Sequence, residues 1–260
     1  MKPRKKDVIK SKIGTQITKR MTRDQRIVYG ILGEKTSKIP KRILAVATPI
    51  VLKTATQKLK NTRIKERITT GRFEDTDIGI VVTGMGTPST AIIMEALTKS
   101  MPNAIIRADF CGGLSADHNI GDGFLADDAV VGDGCGTVYF GNKSILQSHR
   151  MLSKAIHEYA SDLGLTVHRG RMWTTDVLFR QTEDLLEGWM HEGSQAVDME
   201  SSMILGLGNA SGIPTASLNC ISDLPVHGKP LFDSDEVDPN LLTGLDLVLE
   251  ASLKTLVDWS

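Results

Sequence analysis

Between residues 43 and 257, short apolar runs of strand length alternate with stretches of helical periodicity. That alternation confines the chain to a largely parallel sheet covered by helices. Strands are predicted at 43–47, 78–83, 104–108, 123–131, 166–172, 196–199 and 215–221. After the second of them Gly84-Met85-Gly86 makes a turn, Pro88 sits at an early helical position, and Ile92, Ile93 and Leu97 follow at helical spacing. Residues 145–163 read as one amphipathic helix stopped by Gly164, with further helices at 183–190, 201–210 and 241–257. In sheets of this kind ligands bind beyond the carboxyl ends of the strands. The residues that follow each apolar run are therefore the candidates for chemistry.

A chain of 260 residues can bury a large core as one α/β domain. Its formal net charge is zero, but residues 1–42 hold 14 Lys/Arg against Asp7, Asp24 and Glu34, leaving 17 bases against 28 acids elsewhere. Residues 1–40 are accordingly read as a basic, solvated N-terminal extension, and 41–260 as the catalytic domain. Nucleic-acid binding by the extension is not expected, because Tyr29 is its one aromatic residue and stacking platforms are missing. Three cysteines (Cys111, Cys135, Cys220) without metal-ligand spacing point to a reducing compartment rather than a disulfide framework or metal site. No apolar run is long enough to cross a bilayer, and the Met1-Lys2-Pro3-Arg4-Lys5-Lys6 start has no apolar stretch behind it. The expectation is a cytoplasmic protein without a membrane partner.

Four strand-end segments carry the candidate chemistry. Val197-Asp198-Met199-Glu200 runs from a strand into a helix, and of its two carboxylates one is expected in a ligand cleft while the other serves structure. A carboxylate at a helix start is otherwise commonly a cap. Ser222-Asp223 ends an apolar strand before Leu224-Pro225, which cannot extend the ladder, although Asp there also suits a turn. Val82-Thr83-Gly84-Met85-Gly86 is a glycine-rich turn whose N–H groups can approach an anion or sugar, but it lacks the Lys of a Walker loop and the dinucleotide spacing. Arg107 stands two residues before Asp109-Phe110-Cys111-Gly112-Gly113, where an oxyanion contact competes with an ordinary ion pair.

In order and spacing these segments resemble the nucleoside phosphorylase and nucleosidase superfamily, which includes purine nucleoside phosphorylase, uridine phosphorylase and AMP nucleosidase. The resemblance covers about residues 41–258 and rests on Gly84-Met85-Gly86 with Pro88-Ser89, Cys111-Gly112-Gly113-Leu114, Met199-Glu200-Ser201 and Ile221-Ser222-Asp223. It implies a three-layer α/β/α sandwich with a mixed, partly barrelled central sheet, assembled as a homo-oligomer (dimer, trimer or hexamer). It also implies cleavage of the N-glycosidic bond of a purine nucleoside or nucleotide. The reaction is phosphorolysis to base and ribose 1-phosphate, with inorganic phosphate as co-substrate and no cofactor. The alternatives are hydrolysis of the AMP nucleosidase kind and a non-catalytic nucleoside-binding homologue.

Carried across position by position, the resemblance places Glu200 on the ribose hydroxyls, Met199 against the sugar, and Asp223 at N7 of the base with Ser222 beside it. Trp173 falls against the base. Thr83, Gly84 and Gly112 join the substrate-binding set, and Arg107 and Arg67 are the phosphate-binding arginines. Two departures stand out. The early glycine-aspartate-proline loop and its arginine are replaced by Ala47-Thr48-Pro49-Ile50-Val51, and Phe110 stands where the phosphorylases have Ser or Thr.

Overall fold

The computed structural model describes residues 20–228 and 238–259. The first 19 residues, which carry much of the basic charge, lie outside that range.

Strands β1 (Arg42–Val46), β4 (Thr76–Val82) and β5 (Ala104–Gly113) run parallel at the centre of one ten-stranded sheet. Their side chains alternate between two cores, as the period of two requires. Leu44, Val46, Ile78, Ile80, Ala104 and Ile106 face one helical layer, made by α2 (Pro49–Gln57), α5 (Arg150–Asp162) and α8 (Pro239–Asp258). Ile43, Ala45, Val81 and Ile105 face the other, made by α1 (Arg23–Leu32), α3 (Thr87–Thr98) and α7 (Ser201–Ala210). Each buried Leu or Ile contributes about 1.5–3 kcal/mol, so the two cores hold the three layers together.

One side of the sheet closes. In sheet order the remaining strands are β10 (Thr215–Asp223), β6 (Gly123–Gly132), β8 (Val167–Thr175) and β9 (Ser194–Asp198), which leads back to β5. Because β10 also pairs with β5, these five strands form a ring, the partial barrel expected from the resemblance. On the other side β4 continues into the hairpin β3 (Ile68–Phe73) and β2 (Lys60–Ile64). Strand β5 is longer than its apolar run because different neighbours use its two halves. Residues 104–107 pair with β1, whereas Gly112 and Gly113 pair with Val197 and Ala196 of β9.

Two segments differ from the sequence reading. Residues 145–163 are not one helix: Ile145–Gln147 form an edge strand, β7, antiparallel to β6, and the helix begins at Arg150. His149 caps it, its Nδ1 accepting from Leu152 N at 3.3 Å. A three-residue strand is too short for alternation to separate from helical periodicity. Within the basic segment, α1 is closed by a capping box in which Thr22 Oγ1 accepts from Gln25 N and Gln25 Oε1 accepts from Thr22 N. Its Val28 and Leu32 are fully buried against the core containing α3.

Helices α6 (Glu183–His191) and α4 (Gly134–Phe140) complete the architecture. Buried Asp133 ties three helix starts together, accepting from Thr87 Oγ1 (2.6 Å), Ser202 Oγ (3.0 Å) and the N–H of Gly136. Among the described residues no helix is long and apolar enough to cross a membrane.

Candidate functional site

The carboxyl ends of β1, β5, β9 and β10 converge on one cavity, lined among others by Thr48, Phe110, Gly112, Met199, Ser222 and Asp223. Its floor is polar because β5 turns polar there. Arg107 and Asp109 share a strand face with apolar Ile105, and on that face Arg107 meets the start of α7 and Asp109 the start of α2 rather than a hydrocarbon layer.

Arg107 is the centre of the floor and is 2% exposed. Its Nη2 donates to Glu200 Oε2 at 2.5 Å and to the Phe110 carbonyl at 3.4 Å, and lies 3.3 Å from Asp198 Oδ2. Its Nη1 donates to Asn219 Oδ1. Asn219 Nδ2 donates to Ser217 Oγ (2.9 Å), Ser217 Oγ meets Ser201 Oγ (2.8 Å), and Ser201 Oγ donates to Asp198 (2.6 Å). The ring is thus closed: every member is buried and hydrogen-bonded, the condition under which a buried charge is tolerated. Burial by itself would lower the Arg107 pKa, but Asp198, Glu200 and Asp109 reverse this and raise it, so the guanidinium stays charged.

Asp198 and Glu200 do not divide between cleft and scaffold as anticipated. Both approach Arg107, Asp198 from the last residue of β9 and Glu200 from the N-cap of α7. Asp198 is further held by Ser201 N (2.9 Å) and Thr174 Oγ1 (2.8 Å). Glu200 Oε1 accepts from Gly86 N at 2.8 Å, which fastens the glycine-rich turn to the start of α7. Burial, aided by Asp198 and Asp109 and opposed by Arg107 and the Gly86 N–H, pushes Glu200 up to about 7. Its protonation state therefore changes near neutrality.

Across the cavity, half-buried Asp223 accepts from Ser222 Oγ at 2.6 Å, and Ser222 Oγ also reaches the Cys111 carbonyl at 3.2 Å. A Cβ on Gly112 would stand 3.0 Å from Val197 Cγ1 and 3.3 Å from Asp223 Oδ2, so the absence of a side chain there keeps Asp223 in place. Burial pushes the Cys111 thiol well above its ordinary range, which leaves it un-ionised and no nucleophile.

Other residues singled out from the sequence lie apart from this floor. Trp173 is 7% exposed and stacks on Trp189 (centroids 5.8 Å apart, planes at 18°) in a core with Leu114, Val130, Leu186 and Val197; it does not line the cavity. Thr83 and Gly84 shape the turn rather than face the cavity. Thr83 Oγ1 donates to Val46 O, and Gly84 has φ +73° with Ser89 Oγ packed where a Cβ would be. Arg67 is exposed between β2 and β3 and lines no part of the cavity.

The sequence reading also passed over Asp109 and Asn219. The signal was there for the first: Arg107-Ala108-Asp109 puts two opposite charges on one face of an otherwise apolar strand. Asn219 could be found only through the β5–β10 register that pairs it with Asp109. One described group, Asp117, His118 and His168, brings possible metal-ligand atoms within 4.8 Å of one another, and it lies outside the cavity lining.

The family model described as "Phosphorylase superfamily" matches residues 41–253. Among curated proteins, a DeoD-type purine nucleoside phosphorylase of Clostridium novyi is 27% identical over 163 residues, 62% of this chain and 70% of that protein. A guanosine phosphorylase of Halorubrum lacusprofundi is 25% identical, over 66% of this chain and 72% of its own length. Among solved structures, uridine phosphorylase from Vibrio fischeri superposes with a TM-score of 0.77 at 21% identity, covering 85% of this chain and 94% of its own. Purine nucleoside phosphorylase from Toxoplasma gondii, in complex with immucillin-H, gives 0.75 at 22% identity, covering 86% and 92%. At these identities the structural likeness bears on the fold.

Proposed function

The chain belongs to the phosphorylase superfamily, and on that premise we propose that it is an enzyme cleaving the N-glycosidic bond of a purine nucleoside or nucleotide, passing the ribosyl group to an oxygen nucleophile. The observation that carries this reading is the presence of Glu200 and Asp223 on one cavity, each at a strand end and each supported by its own hydrogen bonds. The names of the curated relatives, a purine nucleoside phosphorylase and a guanosine phosphorylase, support a purine base.

As the bond breaks, positive charge builds on the ribose and negative charge on the base. Ionised Glu200 beside the sugar accepts from its hydroxyls and offsets the first. Asp223 gives or shares a proton with the base at N7 and offsets the second. Arg107 acts through Glu200, holding it from below while Gly86 N–H holds it from the side. Met199 lies beside Glu200 on the cavity wall and packs against the sugar.

A homo-oligomer is the assembly we infer. Ile64 (71% exposed) and Arg67 on the β2–β3 hairpin are the groups offered to a neighbouring copy. The test of the activity is release of free base from adenosine, inosine, guanosine and AMP, with and without phosphate. Binding of these compounds with no base released under any condition would make the chain a nucleoside-binding homologue.

A further inference from the structure

We propose that the nucleophile at this site is water rather than inorganic phosphate, and that Asp109 decides this by filling the cavity's anion hole itself. The inference rests on the glycosidic-bond reading above.

Ala47 and Thr48 leave β1 and open α2, so their N–H groups lie at a helix start, where unpaired donors and the helix dipole attract an anion. Here the anion is a side chain of the protein. Asp109 Oδ2 accepts from Ala47 N (2.6 Å) and Thr48 N (3.1 Å). Its Oδ1 accepts from Thr48 Oγ1 (3.2 Å) and Phe110 N (3.0 Å). A carboxylate has about four lone-pair positions, and four donors occupy them. Asp109 is 1% exposed, so the hole is closed by a group that cannot diffuse away.

The cation that could hold a free phosphate is also committed. Arg107 is the one Lys or Arg among the described residues lining the cavity, and its two terminal nitrogens are engaged by Asn219, Glu200, Asp198 and the Phe110 carbonyl. Against that single positive charge stand the buried carboxylates of Asp109 and Asp198, with the carboxyl groups of Glu200 and Asp223 on the same walls. A phosphate dianion entering this cavity meets like charge, and the one lining guanidinium that would receive it is already engaged among the described residues, whereas a neutral water meets no like-charge penalty. Phe110, on the wall beside Asp109, has no hydroxyl to offer phosphate.

The step balances without a co-reactant. The C1′–N bond breaks with its electron pair on the base, and the oxygen of one water forms the C1′–O bond. That oxygen and one of its hydrogens remain as the 1-hydroxyl of the sugar. Its second proton makes good the one delivered to the base.

The test is product analysis on the full chain together with Asp109→Ser. For wild-type protein, base release is expected to be independent of inorganic phosphate, with free ribose (or ribose 5-phosphate from a nucleotide) as co-product. Asp109→Ser reopens the Ala47 and Thr48 donors and removes one negative charge. It is expected to bind inorganic phosphate roughly tenfold or more tightly than wild type, the scale of one charge-assisted hydrogen bond. Ribose 1-phosphate made by wild-type protein overturns the proposal, as does equal phosphate binding by the two proteins. Should the variant not fold, the wild-type product alone decides. Absence of base release by wild type from every substrate tried refutes the glycosidic-bond reading itself, and the water proposal falls with it.

Discussion

Replacing Arg107 by Gln tests whether this residue is a buried structural cation or a ligand for phosphate. The side chain is 2% exposed and neutralises Glu200 at 2.5 Å and Asp198 at 3.3 Å, themselves 3% and 5% exposed. Removing one member of such a pair leaves buried charge uncompensated, at about 3–5 kcal/mol. For a chain of this size that corresponds to a loss of roughly 6–20 °C in Tm. The loss should depend on pH with a definite sign. Glu200 already titrates near 7 in the folded protein, above the ordinary carboxylate value of 4.5. The folded state therefore holds a proton that the unfolded state releases between those values, and the stability linked to it is full below 4.5 and lost as pH rises through 7. Without Arg107 the folded value moves further up, so the deficit of the variant is smallest in acid and grows towards pH 8. The assay is urea unfolding of both proteins at pH 5 and pH 8, with Arg107→Gln/Glu200→Gln as a third protein that should recover part of the pH 8 loss. Wild-type stability at pH 8, combined with a steep rise in phosphate KM, would refute the structural role and restore a phosphate contact.

Asp223→Asn should keep the fold and lower turnover on purine substrates by roughly 10²–10⁴-fold, the worth of a positioned general acid, and near-wild-type kcat would remove that role. Glu200→Gln should harm ribosides more than 2′,3′-dideoxyribosides; equal losses would make the carboxylate structural. In the same series wild-type turnover should rise with pH through about 7, as Glu200 loses its proton, and this limb should be missing in Glu200→Gln. Trp173→Ala should cost about 3–5 kcal/mol in unfolding experiments by emptying the stack on Trp189, while Trp173→Phe keeps the substrate KM. A raised KM in Trp173→Phe at unchanged stability would put the indole on the base after all.

Local chemistry made much of this protein legible without coordinates. Apolar runs of five or six residues followed by helical periodicity give parallel strands and covering helices wherever they occur, and ligand residues then fall at strand ends. Glu200 and Asp223 could be picked out that way, and the structure puts both on one cavity. Helix α1 was hidden because its basic and polar residues mask the two, Val28 and Leu32, that enter the core. The β7 strand was hidden because three residues do not establish a period.

What the sequence alone could not decide was which charge meets which. From the sequence Arg107 is an arginine at a strand end, suited to phosphate or to an ion pair, and Asp109 shares its strand face without any sign of which group it meets. Only closure of β5 against β9 and β10 brings Glu200 within 2.5 Å of Arg107 across 93 positions and Asn219 across 112, while the β1–β5 pairing sets Asp109 on the amides of Ala47 and Thr48. The reason is physical. Periodicity tells which face of an element is apolar, because burial acts residue by residue. A hydrogen bond or a charge pair is a property of two side chains at a given distance, and in this protein that distance is set by strand register between segments far apart in the chain.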